Sequence, residues 1–148
     1  MTKKKQAAAK KEAVREQIYV IVPNTIQVSP GRGADPDLYY GSRGWAVAQS
    51  VHVVARMIWE NQEYSTADDG SRDAIEDYSK YPVILLGVRN SKELAKVYED
   101  LDGVVQMTEF RDVNKKLYGT TDGVVTTICT SPCYREDVED VIGHLELY

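Results

Sequence analysis

Two short stretches of this 148-residue chain hold the residue types that do chemistry. In the first, Gly41 to Trp59, a glycine-flanked turn with Ser42 and Arg43 runs into an apolar helix carrying Gln49, His52 and Arg56. Spacings of three and four residues set those side chains on one stripe of a helix surface. A polar stripe on a buried helix needs partners, because unpaired buried polar groups are costly. It reads either as a functional surface or as a hydrogen-bonded helix edge. The free N–H groups at such a helix start suit an anion such as phosphate, and Arg43 would reinforce that. In the second stretch, Phe110 to Tyr118, Asp112 lies among Arg111, Lys115 and Lys116. A carboxylate so placed can orient a water or a lysine. The alternative is a turn-capping aspartate in a solvated basic loop.

These residues need elements to position them. Ile18 to Val22 reads as a buried first strand, ended by Pro23. Asn24 to Tyr40, with Pro30, Pro36, Gly31 and Gly33, reads as a long loop. A helix from about Trp45 to Trp59 follows, with Val47, Val51, Val54 and Ile58 as its expected core face. Asp68-Asp69-Gly70 marks a turn and Asp73 to Tyr78 a short helix. Pro82 to Val88 is a second strand. Ser91 then reads as the N-cap of a helix over Leu94, Ala95, Val97, Tyr98 and Leu101. Val104 to Phe110 and Gly123 to Thr130 are two further strands, and Ser131-Pro132 opens a last helix with Val138, Val141, Ile142 and Leu145 inward. The order predicts an α/β fold, a three-layer helix–sheet–helix domain around a four-stranded mixed β-sheet. The short connection between the last two strands makes them antiparallel.

Composition narrows the function classes. The formal net charge is −5, so the chain as a whole is no generic polyanion binder, although a local basic patch can still meet nucleic acid. Residues 1–16 read as a basic, flexible N-terminal tail, rich in Lys and Ala with no apolar stripe, and residues 17–148 as one domain. Cys129 and Cys133 are the whole thiol inventory, too few for a disulfide scaffold. With only two histidines they are also a poor metal set, so no metal and no cofactor are expected. No apolar run reaches the roughly twenty residues that span a bilayer, which predicts a cytoplasmic chain without a membrane partner.

Taken together, the motifs resemble the type II (archaeal and eukaryotic) peptidyl-tRNA hydrolase family. That family has a first strand and then GKGKxAAQ running into C-S-H-A. Here Ser42-Arg43-Gly44-Trp45-Ala46-Val47-Ala48-Gln49 leads into Ser50-Val51-His52-Val53. The family's D-A-G-R-T-Q segment falls on Asp112-Val113-Asn114-Lys115-Lys116-Leu117, and its G-H-L-K-L tail on Gly143-His144-Leu145-Glu146-Leu147. The resemblance spans Ile18 to Tyr148. It implies a four-stranded mixed sheet, often a homodimer, and hydrolysis of the ester joining peptide to tRNA without a metal. Gln49 and Asp112 fall on active-site positions, and His52 on the helix histidine. The family's lysine falls on Trp45 and its threonine on Lys116, which makes Lys116 the candidate relocated catalytic cation. A second family threonine falls on or near Val124, with Thr120 and Thr121 close by. Arg43, Trp45, His52 and Lys115 are the candidate substrate-binding residues, for tRNA or peptidyl-tRNA. The alternative expectation is a catalytically inactive relative acting as an RNA-binding or protein-interaction module, with Trp45 stacking on an unpaired base.

Overall fold

The computed structural model describes residues 15–27, 38–40, 42–67, 77–119 and 121–148. Most of the expected N-terminal tail, most of the 24–40 loop, Gly41, the 68–70 turn, residues 73–76 of the expected short helix, and Thr120 lie outside the described residues.

Ile18–Pro23 is the first strand, β1, and every residue in it is buried. A fully apolar run ended by proline has no solvent face, so it occupies the middle of the sheet. β1 pairs in parallel with β4 (Val83–Val88) and antiparallel with β6 (Val124–Thr130). β5 (Met107–Asp112) adds antiparallel to β6, and the short β7 (Glu146–Leu147) adds antiparallel to β4. The order is β5-β6-β1-β4-β7. A separate two-stranded ribbon joins β2 (Thr25–Gln27) to β3 (Leu38–Tyr40). The fold is therefore mixed α/β, but the main sheet has five strands rather than four, and the ribbon lies outside the expected three-layer scheme. The extra strand is Glu146–Leu147 at the end of the Gly143–Leu147 tail, two exposed residues too short to show a strand pattern.

Helix α1 (Arg43–Ala67) packs on one face of the sheet, with Trp45, Ala46, Val53 and Met57 against Ile18, Val20 and Val22. Helices α2 (Ser91–Leu101) and α4 (Arg135–Ile142) pack on the other, against Tyr19 and Ile21. The short α3 (Lys115–Tyr118) follows β5. The core face of α1 matches the expected one at Val54 and Ile58, which pack against the same cluster as Trp45 and Met57, and differs at the other two positions. Val47 and Val51 are 58% and 63% exposed, while Ala46, Gln49, Val53 and Met57 are buried. Hydrophobicity misplaced those two because Gln49 is buried by hydrogen bonding, as described below. The polar stripe also divides: Gln49 turns inward, whereas His52 and Arg56 are exposed, with Arg56 paired to Glu60 at 2.9 Å.

The N-cap of α2 is Asn90, whose side chain accepts from Glu93 N at 2.9 Å, rather than Ser91. Ser91 is the first helical residue, and Leu94, Val97 and Leu101 are the buried stripe. The last helix begins at Arg135, after Ser131-Pro132 rather than on it. None of the helices among the described residues is long and apolar enough to cross a membrane.

Candidate active site

β5 runs antiparallel to β6, and β6 antiparallel to β1, so β1, β4 and β5 all end at the same edge of the sheet. Asp112 is the last residue of β5, and the first turns of α1 come over the same edge. At this point the pairing of β5 with β6 shifts. Phe110 faces Thr127 while Arg111 faces Val125, so Thr126 is one residue extra in β6. Such a bulge re-aims side chains. Here it presents both Thr126 and Thr127 to α1. Thr126 Oγ1 donates a short hydrogen bond to Gln49 Oε1, and Thr127 Oγ1 donates to the Gln49 main-chain oxygen at 3.4 Å.

Gln49, 5% exposed, uses the other end of its amide on Asp112, with Nε2 donating to Oδ2 at 3.1 Å. Tyr118 Oη donates to the same oxygen at 2.8 Å, and Trp45 Nε1 donates to Tyr118 Oη at 2.9 Å. A continuous chain thus runs from Trp45 through Tyr118, Asp112 and Gln49 to Thr126. Each member has a defined donor or acceptor role, which is the condition for a buried polar network to be stable. Asp112 Oδ2 is held by two donors. Oδ1 takes no hydrogen bond from the described residues and is not buried.

Gly123 makes room for this arrangement. Its φ is +79°, and a Cβ there would lie 2.8 Å from Arg111 Cγ and 3.1 Å from the Asp112 carbonyl oxygen. Arg111 Nη1 donates to the Gly123 carbonyl at 3.2 Å.

The other candidates are placed differently. Trp45 is buried at 9% exposure, with its indole N–H engaged by Tyr118. His52 stacks on Phe110, with ring centroids 4.8 Å apart, instead of bonding the carboxylate. Lys116 is exposed on α3 and makes no hydrogen bond or ion pair with a described residue. Lys115 opens α3, and its side chain lies outside the described residues. Arg43 lines a cleft of about 650 Å³ with Asn24, Arg89 and His144, beyond the ends of β1 and β4. The structure thus joins Gln49, Trp45 and Asp112, sets His52 one step away on Phe110, and leaves Arg43 and Lys116 at the periphery. Tyr118, Thr126 and Gly123 were missed by the sequence reading. Tyr118 closes the Phe110–Tyr118 stretch, and Thr126 gave no signal because a threonine in a strand is ordinary.

The two cysteines belong to opposite faces of the sheet. Cys129 donates to the Val53 carbonyl at 3.6 Å under α1, and Cys133 donates to Thr130 Oγ1 at 3.6 Å in the other core. Burial raises both thiols above their ordinary value. Among the described residues no three His, Cys, Asp or Glu side chains are grouped to hold a metal ion.

No protein-family model matches this chain, and no curated protein matches it. Among solved structures it is similar to a protein of unknown function from Agrobacterium tumefaciens strain C58. The two share 13% identity over 90% of this chain and 97% of the other, with a TM-score of 0.47.

Proposed function

We propose that the chain is a divergent, cytoplasmic member of the type II peptidyl-tRNA hydrolase family that hydrolyses the ester between peptide and tRNA. The observation that carries this reading is the state of Asp112, with one oxygen held by Gln49 and Tyr118 and the other open. A carboxylate fixed in this way can take the proton of a water through Oδ1 as that water attacks the ester carbonyl carbon. The tetrahedral intermediate then collapses, the bond to the ribose oxygen breaks, and Asp112 returns the proton to that oxygen. Gln49 acts as a positioning residue, since its amide is anchored by Thr126. Arg43 and Lys116 supply cations at the periphery for the tRNA phosphates, and Lys115 is a further candidate from the sequence.

The test is peptide release from an N-blocked aminoacyl-tRNA by the full chain. Asp112→Asn is expected to lower the rate by about 10²–10⁴-fold, the usual worth of an acid–base group. Absence of turnover by folded wild-type protein in excess over substrate sinks the hydrolase reading.

A binding-only relative is the second reading, and the burial of Trp45 favours it. The position matched to the family's lysine holds a neutral side chain tied to Tyr118, so that position offers the carboxylate no cation. On this reading tRNA affinity survives Asp112→Asn and falls with added salt. The same resemblance carries a homodimer. Val47 and Val51, adjacent and exposed on α1, offer an apolar strip for it. Sedimentation of a Val51→Glu variant checks this, and an unchanged mass of the wild-type dimer in that variant rules the strip out.

A further inference from the structure

A second cavity lies on the opposite face of the sheet from Gln49 and Asp112, between α2 and the β5–β6 pair. It measures about 380 Å³, within the roughly 300–1,000 Å³ typical of small-molecule sites. Its apolar wall includes Leu94, Ala95, Tyr98, Val125 and Ile128. Two further groups that line it are polar, Ser91 and Glu109.

Ser91 Oγ is buried and has no hydrogen-bond partner, alone among the buried side-chain polar atoms of the described residues. The helix does not use it, because Asn90 has taken the capping role. A buried hydroxyl left over in this way calls for an explanation. Among the described residues, the one charged side chain lining the cavity is an acid, Glu109, and it faces the positive N-terminal end of α2 at Ser91. Arg111, the nearest cation along β5, is bonded to the Gly123 carbonyl. The Tyr98 hydroxyl reports the same field. Its pKa is raised first by burial, then by the charges of Glu109, Asp102 and Glu60.

We infer that this cavity binds a small amphipathic amine, with its apolar body against Leu94, Tyr98, Val125 and Ile128 and its ammonium directed at Glu109 and Ser91 Oγ. A carboxylate and an unpaired hydroxyl both accept hydrogen bonds, and an ammonium is the group that satisfies both. An anion is repelled by Glu109, and a neutral alcohol can donate to the same groups but without the charge attraction to the carboxylate.

The experiment is an NMR titration of the ¹⁵N-labelled full chain with 2-phenylethylammonium, 2-phenylethanol and 3-phenylpropionate. The amine is expected to give saturable millimolar shifts at Ser91, Ala95, Tyr98 and Val125, with affinity about tenfold above the carboxylate. Glu109→Gln, at an exposed strand position, is expected to erase the preference of amine over alcohol. Ala95→Phe, at an exposed helix position, fills the cavity and abolishes binding while the far-ultraviolet circular dichroism stays unchanged. The inference is overturned by an absence of saturable shifts at these residues with the amine. Equal affinity for amine and carboxylate overturns it too, as does binding undiminished in Ala95→Phe. Peptide release from tRNA is a separate readout, since Asp112 lies on the other face.

Discussion

At the scale of single residues, the site is built from one carboxylate and the side chains that hold it. Tyr118 is the junction, because it accepts from Trp45 and donates to Asp112. Tyr118→Phe removes a hydroxyl that is fully buried, taking an acceptor from the indole and a donor from the carboxylate. A loss of about 1–3 kcal/mol in urea unfolding is expected, more than a surface hydrogen bond supplies. A change below a few tenths of a kcal/mol would show that the hydroxyl is not structural. Only part of this was legible in the sequence. Gln49 stood out as a polar side chain on an apolar helix and Asp112 as a carboxylate among cations, and the family resemblance joined the two. Tyr118 and Thr126 were not, because aromatic and threonine side chains fit a strand or short helix without any polar partner. Trp45 was visible as a departure, but its inward direction depends on Tyr118, 73 residues away.

At the scale of elements, the β5–β6 irregularity and the turn before β6 set the geometry. Gly123 holds a left-handed backbone next to Asp112, where a Cβ would clash with the Arg111 side chain and crowd the Asp112 carbonyl. Gly123→Ala is expected to cost about 1–3 kcal/mol of stability, as other left-handed non-glycine positions do. It should also lower peptide release, since the end of β5 must move. Unchanged activity with lowered stability would separate the turn from the site. The apolar strands at 18–22, 82–88 and 123–130 were legible because buried runs carry a strong signal. The β2–β3 ribbon and β7 were not, since three-residue and two-residue strands have no period. The face of α1 was legible at Val54 and Ile58 but not at Val47 and Val51, for a physical reason. Val47 and Val51 outrank Gln49 in hydrophobicity, but the bulge at Thr126 supplies the hydrogen bonds that make a buried glutamine affordable. Burial followed pairing there, and pairing comes from a strand some 77 residues away.

At the scale of the whole molecule, two thiols and two phenols predict a loss of stability at alkaline pH. Cys129 and Cys133 have raised pKa values from an ordinary 9.0, and Tyr19 and Tyr98 from an ordinary 10.0, in each case chiefly through burial. In the unfolded chain these groups release protons first, so above pH 9 the native state binds more protons than the unfolded one. Stability then falls as pH rises. The contribution is fully present below pH 9 and declines above it, more steeply past pH 10. Urea unfolding from pH 7 to pH 11 checks this, and a flat or rising midpoint would contradict it. One further consequence follows from the two tryptophans. Trp45 is enclosed beside Asp112 and hydrogen-bonded to Tyr118, while Trp59 is 60% exposed at the far side of α1. Their fluorescence therefore separates by colour and by access to a soluble quencher. The blue, protected component comes from inside the site, so the chain carries a built-in optical gauge of whether anything has entered beside its carboxylate.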